Sequence, residues 1–185
     1  MIPVYNGPTL SRDMINFIQD NHYSRSARSL LQKHVFTLMS GNKILGIAVY
    51  GQPISRNSPK SSLELRRFCL APGAEKNTAS NFLAFTLRWL RQNEPSYTEV
   101  LTFADPNQGH RGTIYKACNF LYDGLEENNP RVVMIGDKVV HMRQYYQKKD
   151  GQYSNDALKY QKLVAEGKGR IVPQQRKLRF IYKLR

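Results

Sequence analysis

A few carboxylates, one phenol and two imidazoles stand where this sequence could do chemistry. Asp105 ends an apolar run, Glu99 to Ala104 (EVLTFA), that predicts a short buried strand. The C-terminal ends of such strands are where α/β proteins place reacting groups; alternatively, Asp105 caps the turn through Pro106. His110 stands in Gly109-His110-Arg111-Gly112, at the start of a predicted short helix. There the positive helix end disfavours a protonated ring and leaves a neutral imidazole as a base, a metal ligand or a surface residue. His22 has Tyr23, Arg25 and Arg28 as neighbours, and aromatic with basic side chains suits a base turned out of a duplex and its phosphates. Glu64 opens another predicted strand, either as a second carboxylate beside Asp105 or as the ion-pair partner of Arg66 or Arg67. Tyr115 either donates a proton or packs its ring between helix and sheet. The histidines form no HxxxH spacing, and Cys69 and Cys118 lack CxxC spacing, so they read as buried thiols.

The elements that must position these groups follow from apolar periodicity. Met14, Phe17 and Ile18, after Thr9 and Ser11 as N-caps, predict a helix to about Asp20. His34 to Met39 and Ile44 to Tyr50 flank Ser40-Gly41-Asn42-Lys43 and predict a β-hairpin. Leu63 to Leu70 alternates as a strand. Asn77 to Gln92 carries Phe82, Leu83, Phe85, Leu87, Trp89 and Leu90, a largely buried helix ended by Pro95. A helix over His110 to Ala117 follows, then strands over Asn119 to Tyr122, Arg131 to Ile135 and Val139 to Met142. The order α, β-hairpin, β, α, β, α, β predicts a mixed α/β fold with helices flanking a central sheet.

With 185 residues and 21.4 kDa, one domain over residues 1–185 is expected, a core over 1–140 with a basic extension over 141–185 packed on it. Apolar residues at 41% and charged residues at 23% exclude a disordered or collagen-like chain. A net charge of +14 favours a polyanionic partner, nucleic acid ahead of an anionic membrane. No apolar run is long enough to span a bilayer and the N-terminus lacks signal-peptide order, so a cytoplasmic chain is expected.

After Leu70 the chain passes through a loop containing Gly73 and Lys76 into the long helix, placing backbone N–H groups where an anion could sit. Further on, Ala104-Asp105-Pro106-Asn107-Gln108-Gly109-His110-Arg111-Gly112-Thr113-Ile114-Tyr115-Lys116-Ala117-Cys118-Asn119-Phe120 is similar to the second half of the GNAT acyltransferase fold. More closely, ELRRFCL, KNTAS and ADPNQGHRGTIYKACNFLYDG resemble the Mom family of phage DNA-modification proteins, themselves GNAT-like. The resemblance is specific from Glu64 to about Gly124 and weaker at His22-Tyr23 and at Lys177 to Tyr182. It implies a transferase that places a carbamoylmethyl group on the exocyclic amine of adenine in double-stranded DNA, in the host cytoplasm if phage-encoded, shielding phage DNA from restriction.

The resemblance also implies roles. Tyr115 would protonate a leaving thiolate; Asp105, His22, His110 and Glu64 are the other candidate catalytic residues. An acyl-CoA-type donor such as acetyl-CoA, a small molecule, would lie on Lys76, Asn77, Thr78, Ser80 and Asn119. Where GNAT enzymes carry Arg or Gln, then Gly, then Gly or Ala, this chain has Ala74, Asn77 and Ala79, so side chains would replace glycine-loop contacts. Iron is left open by the resemblance, with His22, Asp105 and His110 as its ligands, and the oligomeric state is open, a dimer included.

The charge concentrates after residue 140. His141 to Arg185 holds 12 Lys+Arg against 3 Asp+Glu, together with five of the 11 tyrosines. Interleaved cations and aromatics suit phosphate contact plus base stacking; Arg143, Lys148 and Lys149, with Tyr23, Arg25 and Arg28, are the candidate DNA contacts. Helices are predicted over Met142 to Lys149 and Asn155 to Ala165, and Lys177 to Leu184 as a terminal edge strand guarded by its cations. The rival readings are a catalytically silent DNA-binding module and a GNAT acetyltransferase of proteins or small amines. The latter expects an acidic acceptor groove.

Overall fold

Period-two alternation in the hairpin builds the centre of the sheet. In β2 (Gln32–Ser40) and β3 (Lys43–Gly51), Phe36, Leu38, Ala48 and Tyr50 join one buried cluster, and Val35, Ile47 and Val49 another. A sheet apolar on both faces must be covered on both. Helix α1 (Arg12–Asn21) covers the Val35 cluster with Ile18, and α2 (Thr78–Asn93) covers the other with Phe82, Leu83, Leu87 and Leu90. Of the two expected caps Ser11 serves α1, accepting the Met14 N–H. The computed structural model describes residues 1–27, 31–55, 58–127 and 129–185; Arg28 lies outside them.

The other elements in chain order are β1 (Ile2–Tyr5), β4 (Ser62–Leu70), β5 (Glu99–Ala104), α3 (Thr113–Ala117), β6 (Leu121–Leu125), β7 (Arg131–Ile135) and β8 (Lys138–His141). Then come α4 (Met142–Tyr145), β9 (Lys148–Lys149), β10 (Gln152–Tyr153), α5 (Asn155–Ala165), β11 (Arg170–Pro173) and β12 (Leu178–Lys183). Among the described residues, seven strands form the main sheet in the order β1-β2-β3-β4-β5-β12-β6. Its pairs are antiparallel except β4 with β5, which are parallel. A smaller sheet, β11-β7-β8, packs with α4 and α5 around Val133, Val140 and Tyr160.

Four expectations are corrected. The terminal strand is no edge: β12 lies between β5 and β6, with Phe180 fully buried. Its cations pair inward to neighbouring strands, Arg179 to Asp123 and Lys183 to Glu99. The helix expected from His110 starts at Thr113, because Gly109 and Gly112 both take left-handed backbone (φ 73° each). The following strand starts at Leu121 instead of Asn119, since Asn119 (φ 63°) closes α3. The Phe120 N–H reaches the Tyr115 carbonyl and the Asn119 N–H the Lys116 carbonyl, a Schellman arrangement. Finally, the helix expected to Lys149 stops at Tyr145, and Lys148–Lys149 pair with Gln152–Tyr153 across a left-handed Asp150-Gly151 turn.

Residues 126–177 leave and re-enter the main sheet at one end. Leu178, the first residue of β12, pairs with both Ala104, the last of β5, and Leu125, the last of β6. The chain beyond residue 140 therefore supplies both an interior strand of the main sheet and most of the lobe at this end.

Candidate active site

The parallel ladder between β4 and β5 runs over Ser62↔Glu99, Leu63↔Val100 and Glu64↔Leu101, where it stops among the described residues. Past that point β4 continues to Leu70 and β5 to Ala104, so the two strands open a wedge. Their backbones stay occupied on the outer sides by β3 and β12. A cavity of about 400 Å³ sits in the wedge, walled by Leu65, Arg66 and Phe68 of β4, Phe103 and Ala104 of β5, and residues 109–115. His22 and Tyr23, from the turn after α1, complete the wall.

Four of the predicted site residues meet here: His22, Tyr23, His110 and Tyr115. The Tyr23 ring stacks on His22 (4.4 Å between centroids) and meets His110 edge-on (5.4 Å). Arg67 ties their turn to β4, its Nε donating to the Ser26 carbonyl at 2.9 Å. Burial, then the Arg67 and His110 charges, lower the His22 pKa to about 4. Partial burial, then the Asp105 carboxylate, push the Tyr23 hydroxyl up to about 12, against an opposing effect of Arg67. Tyr115 packs its ring against Phe120 and Phe180, each 5.5 Å away, and burial raises its hydroxyl above the ordinary phenol value. The Tyr115 ring thus packs as core while the residue also lines the cavity. Gly112 lets α3 start against Phe180, because a Cβ there would collide with that ring and φ is +73°.

The two carboxylates are placed differently. Asp105 is buried, and its Oδ1 accepts from the Asn107 N–H (3.0 Å) and the Asn107 Nδ2 (2.9 Å), capping the 3-10 turn Pro106–Gln108. Glu64 does not stand beside it. Glu64 pairs with Leu101, four positions before Asp105, roughly 13 Å along the strand. Its Oε2 accepts from the Ile54 N–H at 2.9 Å. Neither carboxylate belongs to the cavity wall.

At the head of α2, Asn77 is left-handed (φ 68°) and gives no side-chain cap, and no acidic residue stands in the first turn. An uncapped helix start beside exposed Lys76 fits an anionic group such as a cofactor phosphate. Of the other residues expected there, Thr78 is buried and the Ser80 hydroxyl donates to the Asn77 carbonyl. Asn119 has its helix-closing backbone as sufficient reason for being there. The iron ligands do not fit an ion. His22 Nδ1 already accepts from Ser24, Asp105 Oδ1 is taken by Asn107, and among the described residues no three His, Cys, Asp or Glu side chains gather.

Asn107, outside the cavity wall, makes a structural link that sequence periodicity does not expose. Its Nδ2 donates to the Gln175 carbonyl (2.9 Å) and its Oδ1 accepts the Gln175 N–H (3.1 Å). It thereby joins the Asp105 turn to the segment entering β12. The candidate DNA contacts Arg25, Arg143, Lys148 and Lys149 are exposed, and Lys148 Nζ lies 5.1 Å from the Tyr153 ring centroid.

Solved structures share this architecture. A Bacillus subtilis acetyltransferase in complex with CoA matches with a TM-score of 0.58 at 7% identity, over 98% of this chain and 99% of that one. A GNAT-family protein from Desulfovibrio desulfuricans matches with a TM-score of 0.56 at 8% identity, over the whole of both chains. In sequence, the methylcarbamoylase Mom of Escherichia phage Mu is 31% identical over 122 residues, 60% of this chain and 49% of that protein. The chain thus matches about half the length of that relative. The model of the Mom protein family matches residues 8–185. On a GNAT-like mixed sheet splayed at β4 and β5, the chain belongs to the Mom protein family.

Proposed function

We propose that the protein is a DNA-modifying transferase that converts the exocyclic amine of adenine in duplex DNA to its carbamoylmethyl derivative, protecting phage DNA from host restriction. The observation that carries this reading is spatial. The wedge cavity and the lobe of residues 126–177 occupy the same end of the main sheet. From Arg131 to Lys177 that lobe carries 11 Lys+Arg against 4 Asp+Glu, so phosphates held there bring the duplex to the mouth of the cavity. An adenine reaches a pocket of this kind only when turned out of the stack, and the stacked His22–Tyr23 pair offers its ring a neighbour.

The amine is a poor nucleophile because its lone pair is delocalised into the purine. Its attack forms the new N–C bond as the donor's bond to its leaving group breaks. The amine proton passes to His110 and the leaving group takes the Tyr115 proton, held available by the raised hydroxyl pKa. Acyl transfer from a CoA thioester would give an N-acyl adenine, whereas the carbamoylmethyl product is joined through a methylene and carries an amide nitrogen. The reacting carbon of the donor is therefore that methylene, bearing the leaving group with the amide already attached. CoA-type phosphates on the donor would lie at Lys76, Asn77 and the α2 N–H groups. The phage Mu relative's name and the CoA complex of the B. subtilis neighbour support these choices.

Mass spectrometry of nucleosides from DNA of cells expressing the protein tests the reading. A deoxyadenosine carrying the added carbamoylmethyl mass is expected, and Tyr115→Phe should lower its yield by about 10²-fold or more while leaving the fold intact. Unmodified DNA bound tightly and salt-sensitively would instead identify a silent binding module.

A further inference from the structure

His22 sits at the cavity wall with one ring nitrogen already committed. The Ser24 backbone N–H donates to His22 Nδ1 at 3.1 Å, and the Ser24 hydroxyl lies 2.9 Å from the same atom. A backbone N–H can only donate, so Nδ1 must present its lone pair. In a neutral imidazole the proton then resides on Nε2. Protonating both nitrogens would set two N–H groups against each other at Ser24 on a buried ring, with Arg67 nearby adding like charge. The histidine-two-residues-before-serine turn follows the last residue of α1, where the Arg25 N–H closes onto the His22 carbonyl at 2.8 Å. The ring therefore takes its tautomer from the way the helix ends, independently of any ligand.

We infer that His22 serves the cavity as a hydrogen-bond donor through Nε2–H, and that Ser24 is the positioning residue that sets this tautomer. The ligand atom it meets is an acceptor with a lone pair, such as a purine ring nitrogen or a carbonyl oxygen of the donor, and never the proton of the adenine amine. The amine proton is left to another group. This assignment rests on the reading of the cavity as the active site for its ligand, while the tautomer itself rests on the hydrogen bonds alone.

Two measurements separate those parts. Long-range ¹H–¹⁵N correlation on the full-length protein reads the His22 tautomer without any substrate. A bare Nδ1 and a protonated Nε2 at pH 7 are expected, and a protonated Nδ1 overturns the proposal whatever the protein modifies. Ser24→Ala, which keeps the backbone donor, should keep that tautomer, and a switch to Nδ1–H would overturn the Ser24 backbone N–H as what sets it. The modified-nucleoside assay reads the role. His22→Gln retains an N–H donor at the ε position and should keep at least a tenth of the yield, while His22→Glu, an acceptor with a base's character, should lose 10²-fold or more. Restoration by Glu and not by Gln would overturn the donor role. If no variant, wild type included, modifies adenine, the reading of the function fails and the spectroscopic result stands by itself.

Discussion

At the scale of single residues, His22 links stability to pH. Its pKa falls from 6.5 in the unfolded chain to about 4 in the fold. Above pH 6.5 both states are neutral at this ring and the shift costs nothing. As pH drops from 6.5 toward 4 the unfolded chain takes up a proton that the folded one refuses, and stability declines by on the order of 3 kcal/mol. Thermal melts of wild type should therefore fall steeply over that window, and His22→Gln should flatten the decline; equal slopes for both proteins would remove His22 from this role. The sequence made His22, Tyr23, His110 and Tyr115 visible as chemistry-bearing types with suggestive neighbours. It could not make Ser24 or Asn107 visible, because a serine or an asparagine in a polar loop has no periodicity, and its partner is decided by the turn that brings it near.

At the scale of elements, α3 shows how a short helix is made from its ends. Gly112 opens it against Phe180 and Asn119 closes it in left-handed backbone. Asn119→Gly should be neutral or slightly stabilising, since glycine takes that conformation without a Cβ penalty. Asn119→Val should cost about 1–2 kcal/mol in denaturant unfolding; indifference to valine would mean that the cap contributes nothing. Strong local patterns were legible: α2, the hairpin β2–β3 and β7 fall within a residue or two of where periodicity puts them. The helix expected at His110 was overrun by two left-handed glycines. The first strand, β1, was missed because Ile2 to Tyr5 includes Pro3 and is too short to alternate convincingly, yet β2 pairs with it along its whole length.

At the scale of the whole molecule, charge and topology act together. Replacing Arg143, Lys148 and Lys149 by alanine should weaken duplex binding across sequences alike and reduce the slope of log affinity against log salt by up to about 3. An unchanged slope, measured by fluorescence anisotropy at several salt concentrations, would place the DNA elsewhere on the surface. The excess of cations was plain in composition, and so was its concentration toward the C-terminus. That the basic lobe shares an end of the sheet with the cavity was not, because it follows from Leu178 pairing with Ala104 and Leu125.

The sequence by itself determined the mixed α/β class, the buried faces of its central elements, the segments from Glu64 to Gly124 that carry the Mom resemblance, and the excess of cations that concentrates toward the C-terminus. These are local or additive properties, readable from periodicity, turn residues and counted charge. Only the tertiary structure decided that β12 enters the middle of the sheet, that β4 and β5 part after three paired positions, and that Glu64 and Asp105 are separated along the strands. The physical reason is that period-two alternation says which face of a strand is buried but not which strand lies beside it. Neighbour and register come from contacts distant in sequence, and those contacts create the wedge in which the candidate catalytic groups meet.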